Sequence, residues 1–258
     1  MDQNRDESTR LRFLDAPARK VVISLRVFIA VLALTIVADA MDYLQYAQLP
    51  YNSPAEIDED TAKVIVYSLA YGLYVLSFLV NGFLVLRWIY RVNQNARELA
   101  PDKPISPGWA VGWYFVPVLA LWKPFQAMRE TWQISTDPAN WRKVAVPPLL
   151  RKWWGFWIVG NIVDQVAARM FMKSHSAGTT MTSDVLSIAG SAAAIVTSLL
   201  LIRIVKELTQ RQMGAIATSI WAARIAETPH PSPPPQAGEG ANLKHIVFRK
   251  LRVGCCSQ

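Results

Sequence analysis

Hydrophobic positions in this chain gather into four long runs, at about residues 21–41, 64–86, 153–172 and 185–205, with polar and charged stretches between them. Each run has the ~20 apolar residues that a helix needs to cross ~30 Å of hydrocarbon. The second run continues as helix to Leu99. A fifth apolar run, residues 108–122, has only 15 residues. As a helix it would reach ~22 Å at ~1.5 Å per residue, and Pro117 would bend it. The pattern therefore predicts an all-α integral membrane protein of four transmembrane helices plus one short re-entrant or interfacial Pro/Trp-rich element.

Charge between the runs sets the threading. Residues 1–20 hold five Lys/Arg, residues 87–107 four, and residues 123–152 six. Residues 43–62 hold none but carry Glu56, Asp58, Glu59 and Asp60, and residues 173–183 hold only Lys173. Basic loops stay in the cytoplasm. That puts the N-terminus, both central loops and the C-terminus inside, in a bacterial cytoplasmic (inner) membrane. Both loops flanking residues 108–122 are basic. A crossing there would send the most basic loop outside, so the charge balance favours an element that enters and leaves on the cytoplasmic face. Backbone at membrane depth that is not helical must be buried in protein or line water. An ordinary short, kinked fifth span is the alternative. The first run also carries Ala38-Asp39-Ala40, which resembles a signal cleavage site. Its apolar core of about 18 residues exceeds the 7–15 of cleaved signals, so the segment reads as a retained anchor.

Composition sharpens this picture. The chain has 258 residues, of which 52% are hydrophobic and 18% charged, below the roughly 25% charged residues of soluble domains. Its net charge of +8 would suggest nucleic acid in a soluble protein. Here the basic residues flank apolar runs, where they fit orientation and anionic lipid headgroups instead. Nine of the ten tryptophans fall between Trp88 and Trp157, and most mark cytoplasmic boundaries as an aromatic belt. Residues 123–135 form an amphipathic stretch with Phe125, Met128 and Trp132 on one side, expected in the interface plane. Cys255 and Cys256 are adjacent, and His175, His230 and His245 lie in loops or the tail. No metal spacing, nucleophile motif or phosphate-binding glycine loop is present. No cofactor and no catalytic residue is expected, and the chain does not read as an enzyme.

The motif string from Trp88 onward is more specific. It runs through Trp88 and Arg91, then Asn95, then Pro107, Gly108, Trp109, Gly112 and Trp113, then Pro117, Trp122, Pro124 and Gln126, and ends on Arg129 and Glu130. This string resembles the bacterial membrane family catalogued as domain of unknown function 4328, best over about residues 83–157. Ala120 departs from the pattern, which has Asn before the Leu-Trp-Lys-Pro run. The resemblance implies a multi-span bacterial membrane protein and supplies no activity.

Polar residues inside the runs are the remaining candidates, because each costs ~2.5–3.5 kcal/mol near a helix centre if charged. Asn81 sits deep in the second run and is expected to bond another helix. Asn161, Gln165 and Arg169 recur every four residues as one polar stripe, with Asp164 beside it. Asp39 and Asp42 lie near the outer end of the first run, at the depth of Arg169. Two readings stay open: an ion pair packing two helices, or a polar pathway opening outward. Gly190, Ala194 and Ser198, four apart, suit close helix packing. After Glu227 a Pro-rich stretch begins that cannot hold a helix or a core. It resembles read-through sequence, a Pro-rich linker being the alternative. The layout is then a cytoplasmic tail (1–20), a helical membrane domain (21–206), a cytoplasmic helical extension (207–226) and the Pro-rich tail (227–258). Two functions fit: a non-catalytic scaffold or regulatory membrane protein, and a small transporter or channel using the stripe. Expected partners are the lipid bilayer, anionic headgroups, and a membrane-protein partner or second copy, without nucleic acid.

Overall fold

A computed structural model describes residues 2–54, 61–173 and 176–227. The acidic residues 56–60, His175 and the Pro-rich tail from 228 lie outside the described residues. Everything described is helix or connection, apart from one isolated bridge between Pro54 and Ser176. The helices are α1 (Asp2–Tyr46), α2 (Thr61–Leu99), α3 (Pro107–Gly112), α4 (Lys123–Thr136), α5 (Pro148–Phe171) and α6 (Ala177–Glu227). Single 3-10 turns stand at Trp113–Phe115, Leu119–Leu121 and Trp141–Lys143. Residues 1–220 form one compact unit and residues 221–258 a second, of which the end of α6 is described. The segment 1–20, set apart as a tail by its charge, is part of α1 from Asp2 on.

Three helical stretches among the described residues are long and apolar enough to cross a membrane: Ala16–Tyr46, Ser68–Leu99 and Ala177–Trp221. The fourth run is also helical. The 24 residues of α5 would cover ~36 Å at 1.5 Å per residue. Its length suffices, but Asn161, Asp164, Gln165 and Arg169 dilute its apolar character, and it is not among the three.

Packing is uneven along the helices. The main core gathers where the basic residues lie: Val21 and Leu25 of α1, Trp88, Ile89 and Val92 of α2, Met128 and Trp132 of α4, Trp153 and Trp154 of α5, and Ile204, Val205 and Leu208 of α6. In the most apolar stretch of α2, by contrast, no residue is buried. The opposite end is closed by a clasp. The amides of Ala177 and Gly178 donate to the carbonyls of Ser53 and Tyr51 at 2.9 and 3.0 Å. Gly178 leaves room for the Tyr51 ring, which a Cβ at this position would displace. The two Lys/Arg-poor connections thus meet at one end, and the Lys/Arg-rich ones meet at the other. Deep burial also changes the picture of α4. It was expected to lie on an interface, but Glu130, Thr131, Gln133, Ile134 and Ser135 are buried along with Met128 and Trp132.

Candidate functional site

The motif string folds into one short broken element between α2 and α4. Ser106 caps α3, its hydroxyl accepting from the Trp109 amide at 3.4 Å, and Pro107 occupies the first turn. Trp109 and Trp113, four apart, stack with ring centroids 4.4 Å apart. Gly112 keeps clear of that stack: a Cβ would stand 3.3 Å from the Trp109 ring. Helix then gives way to 3-10 turns. The Leu119 amide donates to the Pro117 carbonyl at 2.7 Å, closing a three-residue turn whose centre, Val118, has φ 66° and ψ −56°. This is a γ-turn of the uncommon positive-φ kind, which is strained for an L-residue. Phe115 and Val118 stand 71% and 66% exposed at this bend. Trp122 is exposed, and Pro124 behind it is buried at the start of α4.

Both ends of the element are fixed to the same region of the bundle. At its start, the Lys103 ammonium bonds the Glu130 carboxylate of α4 at 3.3 Å and the Ile105 carbonyl at 2.9 Å. The two side chains are 0% and 3% exposed. Burial holds the Lys103 ammonium below the usual lysine value, while Glu130 beside it pulls the other way. At its end, the Trp154 indole, in the second turn of α5, donates to the Leu121 carbonyl at 2.9 Å. Tyr114 meets Trp154 and Trp157 edge-on. Further buried polar pairs knit the same region. Thr131 donates to Asn93 at 2.9 Å. Gln212 accepts from Asn95 at 3.2 Å and donates to the Val92 carbonyl at 2.7 Å.

The rest of the motif is mixed in placement. Trp88 is buried, Arg91, Gln126 and Arg129 are half-buried, and Gly108 is exposed with open space around it. Gln126 accepts from Lys123 at 3.3 Å. The indole N–H groups of Trp88 and Trp153 and the Arg129 Nε are buried without a protein acceptor. On the surface, the Arg142 guanidinium pairs with Asp102 at 2.8 Å and lies 4.7 Å from the centre of the Trp141 ring. Arg211 of α6 lies at the same distance over Trp132.

The polar residues within the long runs are spread along the helices and not gathered at one site. Asn81 accepts a hydrogen bond from Ser24 of α1 at 3.0 Å. Asp39 accepts from Ser187 of α6 at 2.7 Å. Among the described residues neither Asp39 nor Asp42 is paired with Arg169. The carboxylate of Asp164 lies on the backbone of Gly190, where any side chain would collide with it. This explains the glycine in the small-residue row of α6. Asp42 stands within electrostatic range of Asp39 and of Asp184. Asp184 is buried, and its Oδ2 has no hydrogen-bond partner. Asn161, Gln165 and Arg169 share one flank of α5, but that flank is exposed. Among the described residues no group of three His, Cys, Asp or Glu side chains could hold a metal ion.

Sequence reasoning missed Lys103, because a lysine in a loop reads as an orientation charge. It also missed Gln212 and Asp184, whose importance depends on which helix lies opposite, and it placed Ser187 only in the small-residue packing row of the last run. Comparison with known proteins adds one finding. A family model described as Domain of unknown function (DUF4328) matches residues 54–210. No curated protein and no solved structure matches.

Proposed function

Because the chain belongs to the family described as Domain of unknown function (DUF4328), whose description assigns no activity, we propose a role from its geometry: a non-catalytic scaffold or regulatory protein of the bacterial inner membrane. In this reading α1, α2, α5 and α6 span the bilayer, with both termini in the cytoplasm. Residues 107–122 dip into the cytoplasmic leaflet and return. The anchoring of both ends of that element beside α4 and the start of α5 supports a re-entrant path. One observation carries the scaffold reading. Three polar pairs at the basic end, Lys103–Glu130, Asn93–Thr131 and Asn95–Gln212, tie α2, α4, α6 and the connection after α2 together and so rigidify a platform. The exposed ring of Trp109 and the basic residues of 87–103 and 123–152 give that platform its surface toward anionic headgroups or a protein partner.

A second reading rests on Asp184. A buried carboxylate oxygen without a partner, close to Asp39 and Asp42, is what a small transporter of protons or cations would use. Proteoliposomes separate the two. The purified protein is reconstituted and proton, sodium and potassium flux is followed with internal dyes. The scaffold reading expects leak equal to that of protein-free vesicles. A flux that Asp184→Asn abolishes would replace it with the transporter reading.

A further inference from the structure

Among the described residues the polar side chains Asn161 and Gln165 on the exposed flank of α5 bond no other helix. Asn161, Gln165 and Ala168 of α5 and Met172 at its C-terminal cap are all exposed, Met172 by 73%. They are spaced four, three and four residues apart, the repeat that keeps a seam facing a second helix in a left-handed pair. The Asn161 amide nitrogen donates to its own helix at the Trp157 carbonyl, 2.7 Å away, which leaves the side-chain oxygen to accept. Gln165 has no hydrogen-bond partner among the described residues. Resting on the reading that α5 spans the bilayer, this amide pair lies in hydrocarbon, where lipid tails offer neither donors nor acceptors.

We propose that this seam is the contact between two copies of the chain, related by a twofold axis along the membrane normal. The occupant follows from the chemistry. A carboxamide is both donor and acceptor, so Asn161 and Gln165 are each complementary to themselves at equal depth, as an isologous contact requires. A polar residue at one seam position also fixes register between parallel helices. Ala168 lets the two backbones approach. Arg169 lies beside the seam, two residues before the end of α5, and its long stem reaches the outer headgroups. Ile162, 57% exposed, adjoins the seam with apolar surface.

Disulfide trapping in native membranes tests this. Cys255 and Cys256 are first replaced by serine in the full chain. Ala168→Cys is expected to give a covalent dimer on mild oxidation. Val159→Cys, exposed on another side of α5, is expected to stay monomeric. Adding Asn161→Leu and Gln165→Leu should lower the trapped dimer about fivefold, in line with interhelical hydrogen bonds in membranes. No dimer from Ala168→Cys, equal dimer from Val159→Cys, or a yield indifferent to the leucines each overturns the seam. A parallel arm labels Lys173→Cys with an impermeant thiol reagent from outside intact cells. Labelling without a cross-link means the seam alone has failed. Absence of labelling means α5 does not span, which overturns both readings.

Discussion

At the scale of single residues, two positions carry strain or crowding that substitution can reveal. Val118 holds φ 66° while its side chain is 66% exposed, so it contributes little packing to offset the strained turn. Strained backbone of this kind costs of order 1–3 kcal/mol, and glycine adopts positive φ freely. Val118→Gly is therefore expected to stabilise by about 1 kcal/mol after the greater unfolded-state entropy of glycine is subtracted, read as a raised thermal midpoint in detergent. Val118→Pro, which forces negative φ, should lower it. A midpoint that falls with glycine rejects strain at this bend. Gly190 is the opposite case, with the Asp164 carboxylate lying where its Cβ would be. Gly190→Ala should destabilise by about 1–3 kcal/mol, as overpacking does. Combining it with Asp164→Ala should lose clearly less than the sum, because the second change removes the obstacle. Additive losses would show that the two do not touch.

At the scale of elements, the Lys103–Glu130 pair joins the connection after α2 to α4. Removing one partner of a buried pair leaves a bare charge, so Lys103→Met alone is expected to cost about 3–5 kcal/mol. Lys103→Met with Glu130→Leu should recover most of that loss in the same thermal assay. No recovery would mean the pair does more than neutralise itself. The lowered lysine value also gives a sign for pH. Below it, folded and unfolded chains both hold the proton and this group contributes no slope. Between it and the ordinary 10.5, the unfolded chain binds more protons, so stability from this group rises with pH. The difference between wild type and Lys103→Met should drift in that direction across this window. The existence of the broken element was legible in the sequence, since Pro117 and a run too short to span mark it. Its bend at Val118 was not, because a β-branched residue at positive φ is what propensity argues against. The stripe on α5 was legible as a stripe. Which way it turns was not, because that depends on where α6 and α1 stand, and Asp39 finds Ser187 rather than Arg169.

At the scale of the whole molecule, threading is the property most open to test. Single cysteines replacing Ser106 and Thr136, on either side of the element, are both expected to resist an impermeant thiol reagent in intact cells and to react after permeabilisation. Labelling at 136 but not at 106 in intact cells would make residues 108–122 a crossing segment and reverse everything after it. The length of α6 gives this threading a mechanical meaning. Near its start it is clasped to Tyr51 and Ser53 and bonded to Asp39. About 53 Å further on, counting 35 residues at ~1.5 Å each, its Gln212 bonds Asn95 and Val92, and Arg211 covers Trp132. A continuous helix between two such fixtures behaves as a push-rod. A ligand or partner that turned the clasp on one side of the bilayer would turn the seat of α2 and α4 on the other, with no hinge between them to absorb the stroke.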